Sequence, residues 1–208
     1  MAKKLFITAT NTNIGKTYAA CSILEHLGSQ GIRIGAIKPI ETGVNNIPQD
    51  AQKLLKICKK YNKNFQELTP FDITAYTFPL PAAPYSADSN KSIQITKIIA
   101  KIEEIAKLCD YLIIEGAGGL FVPILKEYFM IDLIKELQTK TLLITPSHLG
   151  CINETLLSLK ALESYNIPYK WCVNLYKDKE AFEIITKPFY DDYFKEWYDL
   201  DSYISSLF

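Results

Sequence analysis

Apolar runs and helical patterns alternate along most of the chain. Five short apolar runs predict buried strands, at residues 4–9, 32–40, 111–114, 141–145 and 169–174. Five longer stretches carry apolar side chains at helical spacing and predict amphipathic helices, at residues 16–29, 49–61, 92–108, 128–137 and 153–165. Strands that alternate with helices in this way predict βαβ units. We therefore expect an α/β fold of three layers, with a mostly parallel sheet and helices on both faces.

Two segments interrupt this rhythm. Residues 64–92 contain four prolines with aromatic residues between them, which predicts an ordered connection rather than a flexible linker. The tail from Lys177 is polar and aromatic, and we expect a helix and irregular surface there. A chain of 208 residues that is 48% hydrophobic can bury a substantial core, so we expect residues 1–208 to form a single domain.

Composition and charge narrow the classes of partner. Lys and Arg number 23, as do Asp and Glu, so no net field favours nucleic acid or a membrane surface. The apolar stretch behind the N-terminus is too short for a signal peptide, and no run approaches the length of a membrane span. The five cysteines are scattered and form no C-x-x-C pair, which argues against disulfides or a zinc site. We expect mostly buried thiols in a cytoplasmic protein.

A candidate phosphate-binding loop, TNTNIGKT at residues 10–17, joins the first predicted strand to the first predicted helix. The usual pattern is G-x-x-x-x-G-K-[ST]. Gly15, Lys16 and Thr17 match its end, whereas Thr10 replaces its first glycine. The loop still predicts a nucleoside triphosphate site, because phosphate is bound by backbone N–H groups and the helix N-terminus. Lys16 would contact the β- and γ-phosphates and Thr17 would bind Mg²⁺; the alternative is a plain turn before a helix.

Polar residues follow the other predicted strands as well. Lys38 closes the second apolar run, and Asp50 lies at the start of the next helix. Glu115 ends the third run and precedes the small residues 116–119, which let a ligand approach the backbone. Residues 146–154 form a helix start suited to an anion. Each feature by itself also has a plain structural reading, such as a solvated strand end, a glycine turn or a helix cap.

The carboxyl ends of parallel strands meet at one edge of a sheet, where α/β proteins bind their ligands. We therefore expect these polar segments to converge on one nucleotide site. Thr17 would hold Mg²⁺ there with Asp50 and Glu115 as candidate carboxylates, and Lys38 would lie near the phosphoryl group that is transferred. Reasoning from the residues alone ends at phosphoryl transfer, because it does not define the acceptor.

Four segments together resemble the dethiobiotin synthetase family: T-x-T-x-x-GKT at 10–17, KPI-x-TG at 38–43, EGAGG at 115–119 and LGCIN at 149–153. The similarity is collinear from about residue 4 to residue 176. It implies a P-loop NTPase-like fold and an ATP-dependent cyclo-ligase of biotin biosynthesis, which forms C–N bonds. Such an enzyme joins CO₂ to 7,8-diaminononanoate through a carbamate and a carbamic–phosphoric anhydride, and closes the cyclic urea of dethiobiotin.

The resemblance also implies a role for each matching residue. Lys38 and Lys16 would be catalytic, and Lys38 would stabilise the carbamate and the transferring phosphoryl group. Thr17, Asp50 and Glu115 would hold Mg²⁺. The residues implied in ATP binding are Asn13, Ile14, Gly15, Lys16, Thr17, Tyr18, Asp50, Glu115, Gly116, Ala117, Gly118 and Asn174. The residues implied in binding the diamine are Thr12 and Thr42 and, from the other subunit of a homodimer, Gly150, Cys151, Ile152 and Asn153.

The chain departs from the family pattern at several points. Ala9 stands where the family usually has glycine, Asn11 where it usually has aspartate, and Tyr85 where a histidine is common. The family typically continues through a glycine-rich strand and loop that contacts the adenine, and we recognise no equivalent before Phe208. We therefore expect weak discrimination among nucleobases, with ATP as co-substrate and other nucleoside triphosphates accepted.

Other classes share parts of this pattern. A dimeric switch ATPase of the partitioning or septum-positioning kind has the same fold, but it carries a lysine early in the loop, where this chain has Asn11. A glutamine-dependent cobyrinate-type synthetase would also need an amidase domain, and a non-catalytic scaffold with a decayed loop stays open. Phosphate release distinguishes these readings, because a switch ATPase ignores diamine and bicarbonate whereas a synthetase needs both.

Overall fold

The computed structural model describes residues 2–207. Its strands, in chain order, are β1 (Lys3–Ala9), β2 (Ile34–Ile37), β3 (Ile40–Thr42), β4 (Tyr76–Phe78), β5 (Tyr111–Gly119), β6 (Pro123–Leu125), β7 (Tyr128–Phe129), β8 (Lys140–Thr145) and β9 (Tyr169–Val173). Five of them form a parallel sheet in the order β2-β5-β1-β8-β9. Two small sheets pair β3 with β4 and β6 with β7.

Helices surround this sheet. They are α1 (Lys16–Ser29), α2 (Gln49–Tyr61), α3 (Pro84–Ala87), α4 (Ile95–Ala106), α5 (Met130–Leu137), α6 (Cys151–Ser164), α7 (Lys179–Ala181), α8 (Lys187–Tyr193) and α9 (Leu200–Ser205). Short 3₁₀ segments cover Lys63–Phe65 and Pro70–Ile73, and a π-helical turn, Phe182–Thr186, joins α7 to α8. The parallel sheet and its helices confirm the expected α/β fold. Within residues 2–207 no helix combines the length and the hydrophobicity that crossing a bilayer requires.

The core lies between the sheet and the helices. All four residues of β2 are buried, as are the last five of β1. Strands covered on both faces are apolar along their length instead of alternating, which is why they appear as continuous apolar runs in the sequence. All five cysteines are free thiols, of which four are buried and Cys21 is partly buried, as the sequence predicts.

The strand predicted over residues 32–40 is divided in the structure. β2 ends at Ile37, and β3 pairs with β4 instead of continuing in the main sheet. Pro39 has no N–H to donate to a strand ladder, and its carbonyl oxygen accepts from the N–H groups of Ala75 and Tyr76. The chain therefore leaves the main sheet at Lys38. The ordered connection predicted over residues 64–92 is confirmed, since it contains β4 and α3.

Smaller differences affect other bounds. The helix predicted over 128–137 begins at Met130, because Tyr128 and Phe129 pair with β6. The Asp132 carboxylate accepts from the Phe129 N–H at 2.7 Å and so marks the start of α5. The strand predicted over 111–114 extends to Gly119, and the helix predicted from residue 153 begins at Cys151.

The C-terminal tail differs most from the expectation. Its helices are confirmed, but several of its side chains are buried rather than on the surface. Trp171, Phe182, Tyr190, Phe194 and Trp197 form what we call the C-terminal aromatic cluster, with ring centroids 4.7–5.8 Å apart. Large aromatic side chains bury much apolar area even when polar residues separate them in sequence. Phe182 and Tyr190 therefore form a second apolar core with β9 and α6, whereas the buried residues of α9 join the main core.

Candidate active site

A cavity of about 960 Å³ opens at the carboxyl ends of the central strands. Its wall draws on the segments that follow β1, β2 and β5, together with residues near Pro81 and with Asn174. The predicted site residues that line it are Thr12, Asn13, Gly15, Lys16, Thr17, Tyr18, Lys38, Thr42, Asp50, Glu115, Ala117, Gly118 and Asn174. The segments after β1, β2 and β5 therefore converge as strand topology predicts, whereas residues 146–154, which follow β8, do not line this cavity.

The loop after β1 is shaped by two residues with left-handed backbone. Asn13 has φ 61° and Gly15 has φ 100°. A Cβ at Gly15 would lie 2.2 Å from Nδ2 of Asn174, and that Nδ2 donates to the Ile14 carbonyl oxygen at 2.9 Å. Only glycine fits this close approach. Ile14 is itself buried, so its predicted contact with nucleotide can come only from its backbone.

Lys16 begins α1 and is largely buried. Its Nζ donates to the Asn11 carbonyl oxygen at 2.9 Å, across the loop. Burial and the positive charge of Lys38 lower the pKa of Lys16 to about 8, although the Glu115 and Asp50 carboxylates act in the opposite direction. A triphosphate would oppose both effects, because it places negative charge beside the ammonium group.

Lys38 lies at the centre of a buried ionic cluster. Its Nζ donates to Oε1 of Glu115 at 2.6 Å and to the Gly116 carbonyl oxygen at 3.1 Å. The same Nζ lies 3.4 Å from Oδ2 of Asp50. Burial by itself would lower the pKa of Lys38, but the Glu115 and Asp50 carboxylates raise it above its ordinary value. Lys38 is therefore a fixed positive charge, with an exposed fraction of only 4%.

The carboxylates of the cluster fit a magnesium ion. The Thr17 hydroxyl donates to Oε1 of Glu115 at 2.7 Å. Oε2 of Glu115 is buried, has no hydrogen-bond partner among residues 2–207 and belongs to a residue that lines the cavity, so it fits an oxygen that would coordinate a metal ion. Burial opposes ionisation of Asp50, yet Lys38 and Lys53 hold its pKa below the ordinary value. One hydroxyl and two carboxylates match the few protein ligands that Mg²⁺ takes beside phosphate and water.

The donor set is too small to retain a metal by protein ligands alone. Over the described part of the chain, no group of three or more His, Cys, Asp or Glu residues is arranged to hold a metal ion. A catalytic Mg²⁺ commonly relies on substrate phosphates for its remaining ligands. The arrangement therefore suits an ion that arrives with a nucleotide.

Glu41 also lines the cavity, and the sequence pattern did not single it out. Its two carboxylate oxygens accept from the N–H groups of Asp50 and Ala51, at 2.9 and 3.0 Å. Burial raises the pKa of Glu41, while these two N–H groups act in the opposite direction. Its partners lie nine and ten residues further along the chain, so no local signal could have revealed the contact.

A second unpredicted contact links the phosphate loop to α6. The Thr10 hydroxyl donates to Oε2 of Glu154 at 2.9 Å, and Nε2 of His148 lies 3.1 Å from Oε1 of the same carboxylate. Tyr176 adds a third connection, since its hydroxyl donates to the Asn13 carbonyl oxygen at 3.3 Å. These contacts support the loop from the side of β8 and β9.

The segment predicted to bind the diamine from the other subunit, residues 150–153, lies outside the wall of this cavity. Cys151 is fully buried against the C-terminal aromatic cluster, with Sγ 3.8 Å from Oγ1 of Thr186. Leu149 is 86% exposed, and Gly150 and Asn153 are exposed as well. Ile152 is half-buried. The segment thus presents backbone and Asn153 to the exterior, while the Cys151 thiol faces the core.

Gly116 also lies outside the cavity wall, beneath the ionic cluster. Its carbonyl oxygen accepts from Lys38 at 3.1 Å. A Cβ at Gly116 would lie 2.9 Å from Cε1 of Phe6 in β1. The close packing of β5 on β1 therefore explains why this position is a glycine.

A phosphate loop at the N-terminus of α1, with a lysine and two carboxylates at the ends of parallel strands, defines a P-loop NTPase. A family model described as an AAA domain matches residues 3–187. The structure is similar to a ParA family ATPase from Chlorobium tepidum, with a TM-score of 0.54 and 15% identity over 91% of this chain and 80% of that chain. At that identity the likeness concerns the fold alone.

Two curated relatives narrow the class further. An ATP-dependent dethiobiotin synthetase BioD from a Sulfurovum species is 56% identical over 93% of this chain and 92% of its own length. The protein of the same name from Wolinella succinogenes is 38% identical over 99% of this chain and 96% of its own length. The chain belongs to the family of ATP-dependent dethiobiotin synthetases. The resemblance in the sequence is therefore confirmed, and the switch ATPase shares only the fold.

Proposed function

We propose that this chain is the enzyme that carboxylates 7,8-diaminononanoate and closes its cyclic urea with ATP. Family membership supports the reaction, and one observation carries the mechanism. Lys38, a fixed positive charge, is held at 2.6 Å from Glu115 on the wall of the cavity that Lys16 also lines. A buried cation beside a phosphate loop is the arrangement that stabilises negative charge on a transferring phosphoryl group.

Three bond changes account for the product. One amine attacks CO₂, loses a proton and becomes a carbamate. A carbamate oxygen then takes the γ-phosphoryl group from ATP, which leaves ADP and a carbamic–phosphoric anhydride. The second amine attacks the carbamate carbon, displaces phosphate and loses a proton, which closes the ring.

The residues act mainly by positioning and by neutralising charge. Backbone N–H groups of the loop and Lys16 bind the triphosphate. Lys38 stabilises the carbamate and the phosphoryl group during transfer. Thr17, Asp50 and Glu115 would hold Mg²⁺, which when bound neutralises charge on the β- and γ-phosphates. Thr12 and Thr42 contact the diamine from the cavity wall.

We infer that the enzyme works as a homodimer in which residues 150–153 of one subunit bind the substrate carboxylate in the other. The segment lies at the N-terminus of α6, where N–H groups and the helix dipole favour an anion. Its exposure, and its position outside its own chain's cavity, support delivery to a neighbouring cavity. We also propose that the enzyme is cytoplasmic and that it discriminates weakly among nucleobases. Initial rates with ATP, GTP and CTP test the nucleobase specificity, and a strong preference for ATP would contradict it.

Phosphate release from ATP, measured with and without diamine and bicarbonate, tests the proposed reaction. We expect release to need both additives and to match the formation of dethiobiotin, as measured by mass spectrometry. Equal phosphate release without the additives would indicate a switch ATPase and contradict the proposal.

Mixing two inactive variants tests the shared site. Lys38→Ala disables its own cavity, and Asn153→Asp places a negative charge where the substrate carboxylate would bind. A mixed dimer pairs one intact cavity with one intact segment, so activity should return on mixing. Continued inactivity of a mixture that is shown to contain mixed dimers would contradict the shared site.

A further inference from the structure

We propose that Glu41 is a positioning residue, which holds Asp50 against Lys38 and so sets how strongly Mg²⁺ is bound with nucleotide. The inference rests on the magnesium site of the proposed function. It concerns a residue that neither the loop pattern nor the family motifs single out for this role.

Glu41 is the middle residue of β3 and is buried, with an exposed fraction of 6%. Both of its oxygens accept from successive N–H groups at the start of α2, those of Asp50 at 2.9 Å and Ala51 at 3.0 Å. The first N–H groups of a helix have no partner within the helix. A carboxylate that accepts two of them forms charge-assisted hydrogen bonds and benefits from the helix dipole.

The helix has no local side-chain cap that could do this instead. Pro48 occupies the N-cap position, and no side chain there accepts a hydrogen bond. Ser, Thr, Asp or Asn usually caps a helix from this position. In this chain the cap comes from β3, so the start of α2 is fixed to a different segment of the structure.

That segment is the one that carries Lys38. Lys38 and Glu41 are separated by two residues, and both reach Asp50, one through its side chain and one through its backbone. Lys38 Nζ lies 3.4 Å from Oδ2 of Asp50. The position of Asp50 is therefore defined at two points by a single short stretch of chain.

Electrostatics favour a positional role over simple capping. Repulsion from the Asp50 carboxylate adds to burial in raising the pKa of Glu41. A neutral cap such as serine at position 48 would stabilise α2 without that repulsion. A buried acid on a neighbouring strand therefore indicates that the contact serves to orient Asp50.

The test is the contribution of Mg²⁺ to ADP binding, measured by calorimetry with Mg²⁺ and with EDTA. Glu41→Gln keeps the size of the side chain but turns an amide N–H toward a backbone N–H. We expect the gain in ADP affinity on adding Mg²⁺ to fall about tenfold, since outer residues that orient metal ligands have effects of this size. Affinity in EDTA should not change, because the phosphate loop is intact.

Two further variants separate positioning from helix stability. Asp199 caps α9 from the ordinary N-cap position, away from the cavity wall, and accepts from the Ser202 N–H at 2.8 Å, so Asp199→Asn should leave the Mg²⁺ contribution unchanged. Glu41→Ala combined with Pro48→Asp supplies a local cap, and it should restore the melting temperature lost in Glu41→Ala without restoring the Mg²⁺ contribution.

Three results would overturn the inference. A full Mg²⁺ contribution in Glu41→Gln would show that Asp50 does not depend on the contact. A full Mg²⁺ contribution in the double variant would reduce Glu41 to a cap. A wild-type protein in which Mg²⁺ adds nothing to ADP binding would remove the metal site and the inference together. None of these results depends on diamine turnover. Failure of this inference can therefore be distinguished from failure of the proposed reaction.

Discussion

The ionic cluster around Lys38 and the C-terminal aromatic cluster are both buried, but they are built in opposite ways. The first places an ammonium group between two carboxylates and leaves one Glu115 oxygen without a partner in the described chain. The second buries rings, and its central hydroxyl, on Tyr190, pairs with the Thr155 hydroxyl at 2.9 Å. Buried charge contributes little net stability, whereas buried aromatic area contributes much. The comparison indicates a region organised for ligand binding and a region organised for folding.

The largest effect should come from removing the central cation. We expect Lys38→Ala to lower turnover by about a thousandfold, the scale for losing one preorganised electrostatic contact in a transition state. ADP binding should be largely preserved, because the loop and Lys16 are unchanged. Initial rates and calorimetry on the variant test this, with the exposed lysine variant Lys56→Ala as the control. A near-normal rate in Lys38→Ala would remove Lys38 from the mechanism.

Gly15→Ala should have the next largest effect. The added Cβ would meet Nδ2 of Asn174 at 2.2 Å on a backbone with φ 100°. We expect ADP affinity to fall about tenfold or more, since left-handed backbone alone costs about 1–2 kcal/mol for a residue with a Cβ. Gly31 has φ 80°, open space around it and no place in the cavity wall, so Gly31→Ala is a control for left-handed strain elsewhere and should leave ADP affinity unchanged. Equal ADP affinity in both variants would contradict the role of the Asn174 contact.

Nucleotide binding should also depend on pH through Lys16. The pKa of Lys16 is about 8 in the free protein, and bound phosphate raises it. Well below pH 8 the Lys16 ammonium is charged in both states, so Lys16 adds no pH dependence to the affinity there. Above pH 8 binding takes up a proton, and affinity should fall by up to about tenfold per pH unit. Calorimetry at pH 9 in buffers of different ionisation enthalpy should detect this proton, and Lys16→Arg should abolish its uptake.

Tyr190→Phe tests the aromatic region and should have the smallest effect. The change leaves the buried Thr155 hydroxyl without its partner, which should reduce the free energy of unfolding by about 1–3 kcal/mol. ADP affinity should be unchanged, because the cluster lies apart from the cavity wall. Tyr193→Phe, at a residue that is 55% exposed, is the matched control. The distinction between the two regions would be contradicted if Tyr190→Phe lost more free energy of ADP binding than free energy of unfolding.

Much of the site could be predicted because its parts obey local rules. The bounds of α2, Gln49–Tyr61, coincide with its apolar period and with Pro48 before it. Lys38 and Glu115 could be placed at one edge because the carboxyl ends of parallel strands meet there. No structural relative was needed for that step.

The parts that could not be predicted depend on distant partners. β3 pairs with β4, more than thirty residues further along in a proline-rich segment, and no periodicity signals such a pairing. Phe182 and Tyr190 have polar neighbours in the sequence, which suggests a surface position. They are buried because they pack in a cluster with Trp171 and with Cys151 of α6. Glu41 is similar, since a carboxylate beside Thr42 says nothing about a helix that begins at Gln49.

The unpartnered Glu115 oxygen has a consequence for the folded state as a whole. A group that gains its partner only from a bound ligand stabilises the native chain in proportion to how tightly that ligand is held. The melting temperature should therefore rise with the concentrations of metal and nucleotide. In a cell short of either, a larger fraction of the protein would be unfolded. Availability of the energy source would then govern both how fast the protein works and how long it lasts.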